Sequence, residues 1–316
     1  MKVLVTGASG FVGKAVTEHL RRRSDWSVLA GVRSGTSGKD EVVLGDLSST
    51  SIPTLLPQQG VDAIVHCAAR AHVMNEAARD PLAEFRRVNL TGTEQLAERA
   101  AQCGVGHFVF ISSVKVNGDS HASGQPFTAD QVPAPQDPYG VSKLEAEQAL
   151  AALSARTGMD VTVVRPPLIY GPGVKANFLA MMRWLDKGIP LPLGGAINSR
   201  SLVGLGNLCD LIDTILVNPR ARGETFMASD GQDLSTPQLL RLIGQALSRP
   251  ARLVSIPPGI ARLALGALGH SAYYERLFGS LEVSIEKTRD VLDWHPPHSP
   301  ADGLKSVADW YLASKR

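Results

Sequence analysis

At 316 residues, with 44% apolar and 20% charged side chains, the sequence is that of a globular chain long enough to bury a full core. Its 32 basic and 30 acidic residues leave a net charge of only +2, so no global basic field points to nucleic acid or anionic lipid. Met1 and Lys2 run straight into Val3, Leu4 and Val5 without a signal-peptide pattern, and no later stretch has the roughly 18 uninterrupted apolar residues of a membrane helix, so a cytoplasmic protein without membrane insertion is expected.

In chain order, strands are predicted at Lys2 to Thr6, Ser27 to Val32, Val42 to Leu44, Val61 to His66, His107 to Ile111 and Val161 to Arg165. Helices are predicted from Phe11 to Arg23, Pro81 to Cys103 and Tyr139 to Thr157. The strands are continuously apolar rather than alternating, as in a sheet covered on both faces. The expected fold is therefore α/β, a Rossmann-type doubly wound parallel sheet over residues 1–166. After Arg165 the chain loosens into Gly/Pro-rich loops, and residues 167–316 are expected to form mainly a smaller, interleaved substrate-binding domain, with some segments returning to the sheet. Cys67, Cys103 and Cys209 are scattered without metal-site spacing and read as small core residues; no metal is expected.

The first predicted strand runs into Gly7-Ala8-Ser9-Gly10-Phe11-Val12-Gly13, a glycine-rich turn opening a helix. Glycines there make the tight turn, let backbone N–H groups approach a pyrophosphate and let helix pack on strand. The second strand ends in Arg33, where an NAD site usually carries an acid; an arginine there pairs with the 2′-phosphate of NADP or else is solvated. NADP(H) is accordingly favoured over NAD(H). Asp46 and Leu47 after the third strand and Cys67, Ala68 and Ala69 after the fourth stand at the carboxyl ends where such a sheet holds its ligand.

Tyr139 and Lys143 are four residues apart at the start of a predicted helix and share a face. A tyrosine of pKa about 10 needs it lowered by about three units, or about 4 kcal/mol, to exchange protons near neutrality, and a lysine ammonium one turn away supplies much of that. Ser113, at the end of the fifth strand, has a hydroxyl able to bond the same substrate oxygen.

Glycine turn, strand-end serine and Tyr-x-x-x-Lys in this order resemble the short-chain dehydrogenase/reductase superfamily. The Ser113-Val114-Lys115-Val116-Asn117-Gly118 segment, Arg165-Pro166-Pro167 followed by Tyr170-Gly171-Pro172, and the Thr288-Arg289 to Trp294 stretch narrow the resemblance to its extended branch, the NAD-dependent epimerase/dehydratase family. The resemblance implies Ser113, Tyr139 and Lys143 as the catalytic trio, Lys143 and Pro166 beside the nicotinamide, and a homodimer through the helices from Pro81 and from Tyr139, with Leu144, Leu150 and Leu153 either at that interface or simply in the core.

Within the family, the 4,6-dehydratases carry Asp and Glu after the catalytic Ser/Thr; Val114 and Lys115 cannot replace those acids, so dehydration is not expected. The Ser-Val-Lys-Val-Asn-Gly run is similar to bacterial 4-ketoreductases acting on UDP-4-keto-6-deoxy-N-acetylhexosamines in polysaccharide precursor synthesis. That reaction is the expectation, with Lys115 beside the sugar or else facing solvent; an NAD-dependent UDP-hexose or UDP-N-acetylhexosamine 4-epimerase with the same trio is the alternative. For the UDP half of the substrate the resemblance offers Asn177, Arg200 and Arg276.

Overall fold

The structure is a computed structural model that describes residues 1–35, 38, 40–48, 60–70, 80–120, 125–257, 259–260, 262–263, 274 and 277–315. Seven strands form one parallel sheet among the described residues: β1 Lys2–Thr6, β2 Ser27–Val32, β3 Glu41–Val43, β4 Ala63–His66, β5 His107–Ile111, β6 Asp160–Arg165 and β9 Thr225–Met227. Their order, β3-β2-β1-β4-β5-β6-β9, is that of a doubly wound Rossmann-like sheet. A separate parallel pair joins β7 (Leu168–Tyr170) to β8 (Leu202–Gly204).

The period-two geometry of a strand sorts each apolar run onto two faces. Val3, Val5, Val109 and Ile111 face one core with Val16 and Leu20 of α1 (Phe11–Leu20) and Leu208, Cys209 and Ile212 of α6 (Leu205–Val217). Leu4, Phe108 and Phe110 face the other. There they meet Leu96 and Ala100 of α3 (Gly92–Gln102) and Ala146, Leu150 and Leu153 of α4 (Pro138–Thr157). Leu150 and Leu153 are thus core residues and leave only half-buried Leu144 of the three leucines suggested for a dimer face. Each fully buried Val, Leu or Phe contributes roughly 1.5–3 kcal/mol, so covering both faces is what holds the sheet together.

The predicted helix from Pro81 to Cys103 is interrupted. α2 (Pro81–Arg86) runs into a π-helical turn at Arg87–Thr91 before α3 begins. Apolar spacing alone does not separate the two geometries, and single π-turns concentrate at functional sites. α4 begins where its caps require: Asp137 accepts the Gly140 N–H, Pro138 fills the first turn, and Gly158 closes the helix in the left-handed region at φ 75°. A third core gathers α5 (Ala176–Asp186), α7 (Thr236–Ala246) and α9 (Pro300–Ala313) around buried Tyr170, Phe178, Leu240 and Val307. The last described helix before α9 is α8 (Glu286–Leu292). No described helix is long and apolar enough to cross a membrane.

Candidate active site

The chain travels outward from β1 to β2 and β3 and then returns to β4, so the crevice at the carboxyl ends of β1 and β4 is the topological switch point where such sheets hold ligands. Gly7 turns there with φ 66°, and a side chain on it would place Cβ 2.8 Å from the backbone of Ala68. A Cβ on Gly13 would stand 2.2 Å from the Gly7 carbonyl oxygen. Gly10 caps α1 without a side-chain hydrogen bond, and the first turn carries no acid. The positive end of α1 is therefore not neutralised by its own side chains, which suits a pyrophosphate. This cradle fits a nicotinamide dinucleotide.

Around it, Ser9 is exposed, Val12 is half-buried, and Phe11 packs into the third core, tying the turn to the later part of the chain. Asp46 accepts from Ser48 N at 3.0 Å and Ser48 Oγ at 2.7 Å and faces Arg87 at 3.3 Å, while Leu47 packs beside Gly92. These bonds hold the Asp46 carboxyl below its usual range, the Ser48 hydroxyl first. Cys67 is half-buried against the first core, and burial drives its thiol pKa far up, so it is inert. Arg33 is exposed at the end of β2. If it reads a 2′-phosphate, Arg33→Ala weakens NADPH by about ten- to a hundredfold and leaves NADH nearly unchanged. Equal losses in a titration of both cofactors contradict that role.

A buried chain of hydrogen bonds links this crevice to Tyr139. Ala68 N–H donates to Thr6 Oγ1 at 3.3 Å, and Thr6 Oγ1 and His66 Nδ1 are 2.7 Å apart. His66 Nε2 meets Thr93 Oγ1 at 3.0 Å, and the Thr93 hydroxyl donates to the Asn89 carbonyl at 2.6 Å. With the Thr93 proton so engaged, His66 must donate from Nε2 and accept at Nδ1, which assigns the neutral tautomer. The Asn89 side chain accepts from Arg70 N at 2.8 Å and donates to Arg70 O at 3.1 Å and Ser142 Oγ at 3.0 Å; Ser142 then donates to the Tyr139 carbonyl at 2.8 Å. The π-turn is what aims Asn89 between the β4 loop and α4.

Burial, with the Lys143 charge adding to it, takes the His66 imidazole from the ordinary 6.5 down to about 3. Below pH 6.5 the unfolded chain binds a proton that the folded chain refuses until about pH 3. Stability is then fully present above pH 6.5 and declines as the pH falls, by up to about 1.4 kcal/mol per unit. Buried His107, lowered to about 4 chiefly by burial, acts in the same direction. Denaturant midpoints from pH 7 to 5 should fall less steeply for His66→Gln than for the wild type; equal slopes refute the assignment.

At the carboxyl end of β5, Ser113 caps the short turn Val114–Val116, its hydroxyl oxygen accepting the Lys115 N–H at 3.2 Å. Phe85 of α2 meets the Tyr139 ring edge-on at 5.9 Å between centres. Burial pushes the phenol up to about 12 against the pull of the Ser113 hydroxyl, and the Asp137 carboxylate adds to the rise. Lys143 is 1% exposed; its ammonium donates to the Ile111 carbonyl at 2.7 Å and lies 4.1 Å from the centre of the Phe110 ring. Burial lowers it to about 8, with Glu147 opposing. The ammonium is turned to the strand end, and the phenol is protonated at neutral pH. Pro166 is buried behind the trio and accepts the Val114 N–H at 3.0 Å.

Lys115, expected beside a sugar or in solvent, has a side chain 33% exposed that meets Asp119 at 2.7 Å and Asp137 at 3.2 Å. Asn177 is exposed in the first turn of α5, and Arg200 donates to the Gly279 carbonyl at 3.0 Å; burial holds its guanidinium below the usual range. Arg276 lies outside the described residues. Two buried groups had no role in the sequence reading: Glu147, one turn beyond Lys143, and Arg165, which binds it at 2.6 Å and 3.0 Å. Arg165 also reaches Asn117 Oδ1 and the Ala129 carbonyl, both at 3.2 Å, and Ser112 donates to Glu147. The i, i+4 spacing of Lys143 and Glu147 is the only trace of this network in the sequence.

A dinucleotide cradle at the switch point and a Ser, Tyr and Lys cluster at the end of β5 define the short-chain dehydrogenase/reductase type. The chain belongs to the NAD dependent epimerase/dehydratase family, whose sequence profile matches residues 3–228. It is 42% identical over 313 residues to a UDP-glucose 4-epimerase of Vibrio cholerae, covering 98% of this chain and 95% of that one. It is 28% identical over 320 residues to a GDP-6-deoxy-D-mannose reductase of Pseudomonas aeruginosa, covering 98% and 97%. In fold it is similar to the crystal structure of UDP-glucose 4-epimerase from Thermotoga maritima with UDP-glucose, at a TM-score of 0.80 and 20% identity over 100% of both chains.

Proposed function

We propose that the chain interconverts the C4 epimers of a UDP-linked hexose or N-acetylhexosamine. The observation that carries this reading is the 42% identity, over nearly the full length of both chains, to a relative named UDP-glucose 4-epimerase. When bound, the nicotinamide supplies hydride acceptance and donation at C4. Gly7, Gly10 and Gly13 bring backbone N–H groups to its pyrophosphate, and Lys143 stands at its ribose. Ser113 holds the C4 oxygen, and Tyr139 takes the C4 hydroxyl proton and later returns it. Taking that proton requires the phenolate, so Lys143 must share its charge with Tyr139 in the loaded site. Residues 167–316 form chiefly the sugar-nucleotide side, with Asn177 on the uridine and Arg200 and Arg276 on the diphosphate. A two-fold dimer through α3 and α4 completes the reading.

A second reading is favoured by Arg33 and by the protonated phenol: NADPH-dependent reduction of a UDP-4-keto-6-deoxy-N-acetylhexosamine in polysaccharide precursor synthesis, with Tyr139 donating the proton. Val114 and Lys115, in place of the acidic pair, weigh against dehydration under either reading. Purified protein is incubated with UDP-galactose, with UDP-N-acetylgalactosamine and, separately, with a UDP-4-keto sugar and NADPH. Formation of the C4 epimer without added reductant supports the epimerase. Stoichiometric NADPH loss on the keto sugar alone supports the reductase.

A further inference from the structure

Lys115 occupies the turn Val114–Val116 directly after Ser113, and its side chain is 33% exposed. Its backbone N–H donates to Ser113 Oγ at 3.2 Å. Its ammonium stands 2.7 Å from Asp119 Oδ1 and 3.2 Å from Asp137 Oδ2. The other Asp137 oxygen accepts the Gly140 N–H at 2.7 Å, so one carboxylate both caps α4 and meets Lys115. The two segments are packed closely: a Cβ on Gly140 would stand 2.6 Å from the Lys115 carbonyl oxygen. Lys115 therefore touches Ser113 through its backbone and the turn bearing Tyr139 through its side chain.

We propose that Lys115 is a positioning residue: its ammonium seats the Asp137 carboxylate in the N-cap of α4 and cancels that charge beside the Tyr139 phenol. The proposal rests on the reading of Tyr139 as the proton-transferring group; the limb shift is expected for an epimerase or a reductase, and the loss of rate at pH 7 for the epimerase, which needs the phenolate. The groups that act on the Tyr139 phenol are Ser113 and Asp137, and the Phe85 ring, which also lies 5.7 Å from the Arg70 guanidinium, packs against it. Lys115 meets both Asp137 and Asp119, and the Lys143 ammonium donates to the Ile111 carbonyl. Of these, the Asp137 carboxylate opposes phenolate formation, and Lys115 is its nearest counter-charge.

The test is the pH profile of kcat/KM for wild type, Lys115→Met, Lys115→Arg, Asp137→Asn and the double variant Lys115→Met/Asp137→Asn, with hydrogen exchange of the 139–141 amides in the free proteins. Lys115→Met should move the Tyr139 limb up by roughly half to one pH unit and lower kcat at pH 7 by about three- to tenfold, with the sugar-nucleotide KM within about twofold. Lys115→Arg should restore the limb. Without the Asp137 charge, Lys115→Met should move it no further. Amide exchange at 139–141 should quicken in Lys115→Met and not in Lys115→Arg. A raised KM with an unmoved limb overturns the proposal and makes Lys115 a sugar contact; an equal shift in the Asp137→Asn background, or unchanged amide exchange in Lys115→Met, also overturns it. Failure of the functional reading looks different: the wild type turns over no UDP-sugar, while the exchange data still decide whether Lys115 seats Asp137.

Discussion

Tyr139→Phe should lower kcat by at least about 10²-fold while leaving the fold and most of the nucleotide affinity intact. Phe keeps the ring and its edge contact with Phe85, so only the hydroxyl is removed. Under the proposed function that hydroxyl moves the C4 proton, and an effect made in the transition state appears in kcat more than in KM. Lys143→Met should damage both constants, because the proposed function has the ammonium serve the phenol and the cofactor ribose. Steady-state rates and a cofactor titration on the two variants check this. Tyr139→Phe retaining more than about a tenth of wild-type kcat assigns the proton transfer elsewhere.

Arg165→Met should be the most destabilising single change, at about 3–5 kcal/mol. The side chain is buried at 5% exposure, and its removal strands the Glu147 carboxylate, itself 8% exposed, together with Asn117 Oδ1 and the Ala129 carbonyl. A buried charge without its partner is worse than no charge, so Glu147→Leu in the Arg165→Met background should recover part of the loss. The network also holds Ser112, next to Ser113, and stands one turn from Lys143, so kcat should fall even in folded protein. Denaturant unfolding of the single and double variants measures the coupling. A loss below about 1 kcal/mol, or a double variant less stable than either single one, contradicts this account.

How much of this was legible in the sequence follows from the range of the interactions. Gly7, Gly10 and Gly13 were readable because a tight turn between an apolar strand and a helix is a local demand on residue type. Tyr139 and Lys143 were readable because four-residue spacing on a helix puts two side chains on one face. The directions those side chains take were not: Lys143 donates to Ile111, 32 residues away, and Lys115 meets Asp137, 22 positions on, through a fold that no spacing announces. The π-turn at Arg87–Thr91 was invisible because α2, the turn and α3 carry one unbroken apolar pattern, and Asn89 gains its meaning only from Arg70 and Ser142. The three-residue strands β7, β8 and β9 are too short to show a period, so the return of Thr225–Met227 to the edge of the sheet appeared only as a general expectation of interleaving.

The measurement closest to the central claim is proton NMR of UDP-galactose mixed with the purified protein and a catalytic amount of NAD, run in parallel with Tyr139→Phe. The account predicts that the anomeric and H4 signals of UDP-glucose grow to equilibrium with the wild type and stay absent over the same period with the variant. Contradiction would be a wild-type protein that leaves UDP-galactose and UDP-N-acetylgalactosamine unchanged with either NAD or NADP and fails to reduce a UDP-4-keto sugar with NADPH.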